Sequence, residues 1–512
     1  MREYRIDKEA QENFSNKAHY CIGTGRMDLA LHREYVNQLK LVQEEIGFDY
    51  IRGHGLFCKD MAIYHAWEQE DGTLREEYNF TYLDEVMDMY QDLHIRPFLE
   101  LGFMPEALAS DEHTVFYWKG NITPPADYDR WARLVQATLR HLLERYGEEE
   151  VLTWPIEVWN EPNLRSFWKD ADMQEYFHLY EVTVKAVKEV HPQLIVGGPA
   201  ICGVDDERWL REFLDFVQSR ELPLDIVTRH HYTSYPPERE GHYDYIELHE
   251  PEDAFGVLEK SREIVDSYDC FRDKQIHITE FNTSYVPTAP IHDTCLNAAY
   301  VAHMLSRLGD KHESYSYWTF GDVFEENGVP FTPFHGGFGL VANACIPKPT
   351  FWTFAFYKNL QGRCVHRSED AVIVQQENGN YYGVAWHPDW YGEEREKNVT
   401  FVFDLSGEKE GQEYMLIERI VDEEHGNPLR VWHEMGEPAN PTGEQNELLR
   451  QVARPYIRTQ NVCVQEKGIR VALNLKPNAL HSFELRKIWR SQDTGYDYNR
   501  VLAQHVGKQE NL

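Results

Sequence analysis

Trp154-Pro-Ile-Glu-Val-Trp-Asn-Glu-Pro-Asn163 is the stretch from which the fold of this 512-residue chain can be read. Its first half is apolar and β-prone. Its end, Asn160-Glu161-Pro162, is where a strand has to stop, because Pro162 has no backbone N–H to continue a ladder. A carboxylic acid and an amide are left at a strand exit, beside Trp159, Phe167 and Trp168. Strand exits facing a cleft are where a β/α barrel carries its chemistry. Glu161 is therefore the first candidate acid, and its partner has to come from elsewhere in the chain.

The surrounding sequence repeats strand, loop and helix. Strand-like runs lie at 18–24, 47–54, 95–102, 153–160, 194–199, 224–232, 275–282 and 314–320. Amphipathic helical runs follow at about 29–45, 82–93, 126–147, 172–191, 206–220, 253–268, 293–309 and 348–361. In the third, Trp131, Leu134, Val135, Leu139 and Leu142 recur at helical spacing. Eight alternations with short apolar strands predict a parallel (β/α)8 TIM barrel over residues 14–362. A doubly wound sheet is the runner-up, but no Gly-rich phosphate turn follows the first strand.

After about residue 363 the texture changes. Ala371-Val-Ile-Val-Gln375, Tyr381-Tyr-Gly-Val-Ala-Trp386, Val399-Thr-Phe-Val-Phe403 and Gly468-Ile-Arg-Val-Ala-Leu473 alternate between turn signals. They predict an accessory antiparallel β-sandwich domain built from residues 1–13 and 363–485, with Tyr4-Arg-Ile6 adding a strand. Residues 437–446 read as an exposed loop. Residues 486–512 form a polar tail with too little apolar content to fold alone, expected as a short helical segment that is either frayed or an oligomer contact.

Composition narrows the function. The formal charge is 51 − 86 = −35, which disfavours nucleic acid and anionic lipid and favours neutral partners. Thirteen Trp and thirty Tyr suit sugar-stacking surfaces as well as cores. No apolar run is long enough to span a bilayer, and the charged first residues carry no secretion signal. The eight cysteines are scattered without CxxC spacing, which fits free thiols of a reducing cytoplasm rather than a disulfide frame or a metal site. A sequon at Asn282 falls in a strand expected at the cleft, where a glycan would block it. No HExxH, P-loop or GxSxG is present. No metal or cofactor is expected.

Strand parity supplies the second carboxylate. Ile278, Glu280 and Asn282 share a face of the seventh strand, with Glu280 at its exit. Arg52 and His54 share a face of the second, Thr228, His230 and Tyr232 of the sixth, and Ser316, Trp318 and Phe320 of the eighth. Two glutamates thus face each other across a barrel mouth, as glycoside hydrolysis requires. Glu161, among tryptophans, is expected to have a raised pKa and act as acid. Glu280, near Arg52 and Tyr232, is expected to stay ionised as nucleophile. Asn160 would bond the sugar 2-OH, Trp318 would lie under a pyranose face, and Glu326 would contact a sugar hydroxyl. His54 reads equally well as a core residue or a substrate contact. Of His230 and His231, on opposite faces, one is structural. Glu100 and Glu157 read as buried network members, and Glu325 as solvated. Loops at Phe116-Tyr-Trp118, Ser166-Phe-Trp168 and 321–337 are candidates to close one end of the pocket.

Ile51-Arg-Gly-His-Gly55, Val158-Trp-Asn-Glu-Pro-Asn163, His230-His-Tyr232, Ile278-Thr-Glu-Phe-Asn282 and Tyr317-Trp-Thr-Phe320 together resemble the β-D-xylosidases of glycoside hydrolase family 39, within clan A. The resemblance implies Glu161 as acid/base, Glu280 as nucleophile, and His54, Asn160, His230, Tyr232 and Glu326 around a terminal xylose. It implies a retaining exo-β-1,4-xylosidase acting on xylo-oligosaccharides, commonly a homotetramer, without a cofactor. β-Glucosidase, endo-glycanase or α-L-iduronidase activity, or a carbohydrate-binding barrel without catalysis, are the alternatives.

Overall fold

The computed structural model describes residues 2–392, 395–489, 496, 500 and 501. Eight parallel strands close into a barrel: Cys21–Arg26, Tyr50–His54, Arg96–Leu101, Ile156–Val158, Val196–Ile201, Ile226–Tyr232, Gln275–Asn282 and Ser314–Tyr317. Each pairs with its successor, and the eighth returns to the first where Tyr317 meets Ile22. Each overlaps the run expected for it. The doubly wound alternative is excluded by closure.

The helices form for local reasons. Tyr128–Tyr146 starts at Asp127, whose carboxylate accepts from the amides of Asp129 and Arg130, and buries Trp131, Leu134, Val135, Leu139 and Leu142 on one stripe. It ends at Gly147, whose φ of 85° lies in the region glycine tolerates. The first expected helix, 29–45, is split into a 3-10 turn, Met27–Leu31, and an α-helix, Arg33–Glu45.

Beyond the barrel lie two sheets. One has six antiparallel strands: Arg363–Arg367, Ala371–Gln375, Tyr381–His387, Glu413–Val421, Tyr456–Cys463 and Ala479–Lys487. The other pairs Arg2–Ile6 with Lys397–Asp404, and that strand with Gly468–Leu475. Strand period separates the two faces of the larger sheet. Val372, Val374, Tyr382 and Val384 pack toward the barrel with helices Cys295–Leu308 and Pro349–Tyr357. Ile373, Tyr381, Ala385 and Phe483 pack on Val399, Phe401 and Phe403 of the smaller sheet.

Three details differ from the sequence reading. The N-terminal strand joins its sheet in parallel rather than antiparallel fashion. Residues 437–446 are not all loop, since a helix, Gly443–Val452, begins there behind a Thr442/Gln445 capping box. Of the 486–512 tail, residues 490–495, 497–499 and 502–512 lie outside the described residues, and what is described includes the end of strand Ala479–Lys487. Among the described residues no helix is long and apolar enough to cross a membrane.

Candidate active site

The fourth barrel strand stops earlier than its sequence suggests. It covers only Ile156–Val158, because Trp159 and Glu161 take positive φ values of 73° and 44°. Side chains rarely hold that region, so neighbours must fix it. The Glu161 amide bonds the Ala200 carbonyl at 2.9 Å, the Leu164 amide bonds the Glu161 carbonyl at 2.9 Å, and the Trp159 indole N–H bonds the Phe167 carbonyl at 2.9 Å. The turn aims the Glu161 carboxyl across the barrel mouth.

Opposite it stands Glu280. A register shift between Arg229 and His230 sets His230 directly beside Glu280 and Tyr232 beside Asn282. Glu161, His230 and Glu280 offer polar atoms that all lie within 4.8 Å of one another. His230 Nδ1 is 2.7 Å from Glu161 Oε1 and 3.4 Å from Glu280 Oε2. His230 Nε2 is 3.4 Å from Arg52 Nη2, a group that can only donate. The ring proton therefore sits on Nδ1 and is donated to Glu161 Oε1. By spacing alone the three could ligate a divalent cation. Arg52 already supplies positive charge there, and both Glu280 oxygens are engaged by protein donors.

Arg52, fully buried, is the hub. Its Nε bonds Glu157 Oε2 at 2.6 Å, its Nη1 Glu280 Oε1 at 2.8 Å and its Nη2 Asn160 Oδ1 at 2.9 Å, while Glu100 Oε2 lies 2.9 Å from Nη2 as an ion-pair contact. Since Asn160 Oδ1 accepts from Arg52, its amide nitrogen is left to donate. The Tyr232 hydroxyl donates to Glu280 Oε2 at 2.7 Å, and Thr279 donates to Glu157 Oε1 at 2.7 Å.

Electrostatics separate the two carboxyls. Burial pushes both upward. For Glu161 the charge of Glu280 adds to it, and the Glu161 pKa lies well above the ordinary carboxylate range. For Glu280, burial is opposed by Arg52 first, then by His54 and the Tyr232 hydrogen bond. A single proton shared by the pair resides on Glu161. Burial lowers His230 well below the usual histidine range and His54 to about 3, so both rings are neutral.

The other sequence candidates gather at the same place. His54 Nδ1 meets Glu100 Oε2 at 2.7 Å, and its Nε2 faces Glu280 Oε1 at 3.4 Å. Trp318 lies 4.7 Å from the His54 ring, with Arg52 5.8 Å from its centroid. Glu326 is half-buried, and burial together with Glu280 raises its carboxyl to about 8. Its backbone carbonyl accepts from the Tyr117 amide at 2.9 Å, which joins two of the candidate loops. Phe116 stacks on His54 and Trp118 and meets Phe167 at a tilt, and Phe324 closes against Phe116 and Trp318.

Some expectations change. Trp168 does not line the mouth: it is fully buried behind Trp159, with its indole N–H on the Asp172 carbonyl. Glu325 is not solvated but ion-paired to Arg26 at 2.7 Å. His231 is buried among Arg229, His249 and His312, away from the pair. Sequence reasoning missed Gly23 and Gly25. A Cβ on Gly23 would come within 2.3 Å of the Trp318 ring, and one on Gly25 within 2.4 Å of Phe324. The signal was Cys21-Ile-Gly-Thr-Gly25, two glycines on one strand face.

The sequence profile described as Glycosyl hydrolases family 39 matches residues 4–469. A β-xylosidase of Geobacillus stearothermophilus is 46% identical over 492 residues, covering 95% of this chain and 96% of that protein. A β-xylosidase of Caldicellulosiruptor saccharolyticus is 36% identical over 440 residues, covering 84% and 86%. The crystal structure of a monomeric β-xylosidase from Caulobacter crescentus CB15 superposes with a TM-score of 0.86 at 30% identity, covering 96% of this chain and 100% of that one.

Proposed function

The chain belongs to glycosyl hydrolase family 39, and from that premise we propose that this glycoside hydrolase is a retaining exo-β-1,4-xylosidase releasing D-xylose from xylo-oligosaccharides. The observation that carries the reading is the carboxyl pair. Oxygens of Glu161 and Glu280 within 4.8 Å of one another fit the ~5–5.5 Å carboxyl spacing of retaining enzymes. The wider ~6.5–9.5 Å gap of inverting enzymes makes room for a water.

The mechanism follows from the hydrogen bonds. Glu280, oriented by Arg52 and Tyr232, attacks the anomeric carbon. The bond to the glycosidic oxygen breaks, and Glu161 protonates that oxygen. Because His230 donates to Glu161 Oε1, the transferred proton sits on Oε2. A xylosyl-enzyme ester on Glu280 results. Glu161, now ionised, takes a proton from water as that water displaces Glu280. Asn160 donates to the 2-OH, where hydrogen bonding strengthens in the transition state. His54, Trp318 and Glu326 complete the sugar site in this reading.

The choice of xylose is supported by the two near-full-length relatives, both β-xylosidases. An iduronate carboxylate would need a cationic clamp, and Arg52 is committed to the glutamates. A cytoplasmic location is supported by eight cysteines that are all free. Assembly as a homotetramer is part of the proposal. The similar Caulobacter enzyme is described as monomeric, so light scattering decides it. The functional test is initial rates on matched aryl β-D-xyloside, β-D-glucoside and α-L-iduronide, with the first-formed anomer followed by NMR. Rapid xyloside cleavage giving β-xylose first is expected. First-formed α-xylose would overturn retention, and preference for another glycoside would overturn the sugar assignment.

A further inference from the structure

A neutral imidazole carries one N–H. His54 has a carboxyl oxygen at each end, Glu100 Oε2 at 2.7 Å from Nδ1 and Glu280 Oε1 at 3.4 Å from Nε2. One ring nitrogen can donate to one of them; the other nitrogen presents a lone pair and needs a donor opposite it. Either one carboxyl brings its own proton, or two lone pairs confront each other inside a buried site.

Three carboxyls share the single guanidinium of Arg52: Glu100, Glu157 and Glu280. Two are fully engaged as anions. Glu157 takes Arg52 and Thr279 on separate oxygens, and Glu280 takes Arg52 and Tyr232 on separate oxygens. Glu100 differs. Its Oε1 is buried without a hydrogen-bond partner, and only Oε2 is engaged. A buried anion with one oxygen unsatisfied is costly, whereas a neutral acid can leave its carbonyl oxygen bare at smaller cost.

We infer that Glu100 is a positioning residue which, as the neutral acid, donates its proton from Oε2 to His54 Nδ1 and so presents His54 Nε2–H to Glu280. Arg52 Nη2 lies 2.9 Å from Oε2 as a charge contact, its two protons being directed to Asn160 Oδ1 and His230 Nε2. Burial raises the Glu100 carboxyl to about 8, against the pull of Arg52 and of the Gly55 backbone amide, which lies near the carboxyl without forming a well-aligned hydrogen bond. The groups facing this proton are Arg52, His54, Glu157, Glu280 and, more distantly, Glu161. His54 and His230 then hold opposite tautomers. His230 keeps its proton on Nδ1 toward Glu161, and His54 keeps its own on Nε2 toward Glu280. The role assigned to Glu280 is that of the proposed mechanism; the tautomer of His54 does not depend on it.

The test is 15N NMR of imidazole tautomers in the whole enzyme near pH 6.5, with His54 assigned by comparison with His54→Gln. A protonated Nε2 and bare Nδ1 are expected. A protonated Nδ1 would overturn the inference whether or not the enzyme cleaves xylosides. Glu100→Gln, whose amide can donate to Nδ1, is expected to keep the tautomer and hold kcat within about threefold. Glu100→Leu is expected to lose the fixed tautomer and lower kcat more than tenfold with KM changing less. Equal kcat for the two variants, or loss of the Nε2–H form in Glu100→Gln, would count against the assignment. Thermal melts of both variants separate misfolding from mispositioning.

Discussion

Replacing Glu161 by Gln removes the acidic proton and, with an amide of nearly the same shape, changes little else. The Gln carbonyl can still accept from His230 Nδ1, which now sits 2.7 Å from Oε1, and the backbone bonds that hold residue 161 at positive φ remain. The expected loss is therefore that of general acid catalysis alone, about 10²–10⁴-fold. That corresponds to roughly 2.7–5.4 kcal/mol of transition-state stabilisation at 1.36 kcal/mol per decade. It falls fully on xylobiose, whose leaving alkoxide needs the proton. A dinitrophenyl xyloside leaves unaided, so its first step should fall less than about tenfold. The second step then lacks its base, and a burst of dinitrophenol followed by a slow phase is expected in stopped flow. Azide needs no base, so it should accelerate the slow phase and yield β-xylosyl azide. Equal losses on both substrates, or no response to azide, would refute the assignment of Glu161 and the charge asymmetry it rests on.

Glu280→Ala should leave no turnover of aryl xylosides above background, with azide giving the α-xylosyl azide; normal activity would sink the nucleophile assignment. Gly23→Ala forces a methyl to within 2.3 Å of Trp318. Such overpacking costs about 1–3 kcal/mol, so a lower denaturation midpoint and raised KM are expected, and unchanged KM would argue that Trp318 is not at the sugar. Glu326 holds its proton up to about 8 when folded, above the ordinary 4.5. The folded state thus binds more protons than the unfolded one between those values, and this group's contribution makes stability fall as pH rises through that window. Urea midpoints from pH 5 to 8 should fall less steeply in Glu326→Gln than in the parent; an identical or steeper fall would contradict it.

Most of the barrel was legible because each strand is a short apolar run bounded by turn residues. Period two then placed Glu280, His230, Tyr232, Arg52 and His54 on inward faces. What escaped has identifiable causes. Glu413–Val421 is buried on alternate and adjacent residues alike, and Tyr456–Cys463 is an exposed edge strand, so neither shows alternation. The helix from Gly443 hides behind Pro441 and Gly443, although Thr442-Gly-Glu-Gln445 carries a capping box. The early end of Ile156–Val158 depends on left-handed backbone at Trp159 and Glu161, which residue type does not signal. The ion pair between Arg26 and Glu325 joins residues 299 positions apart, and only the closed barrel brings them together.

The division of labour proposed for the two glutamates follows from how few positive charges the site contains. Arg52 touches Glu280 directly, and among the described residues no such cation touches Glu161. Its nearest polar partner is His230, kept neutral by burial and by Arg52 itself. Placing the shared proton on Glu280 would leave Glu161 ionised without a cation and Arg52 beside a neutral acid. Placing it on Glu161 keeps the anion where Arg52 and Tyr232 can solvate it. The roles cannot be exchanged without moving the arginine. The same reasoning makes Arg52, rather than either glutamate, the side chain whose loss would disturb the most groups at once. Glu157, Glu280 and Asn160 would lose a hydrogen-bond donor, and Glu100 its ion-pair contact, at a buried position.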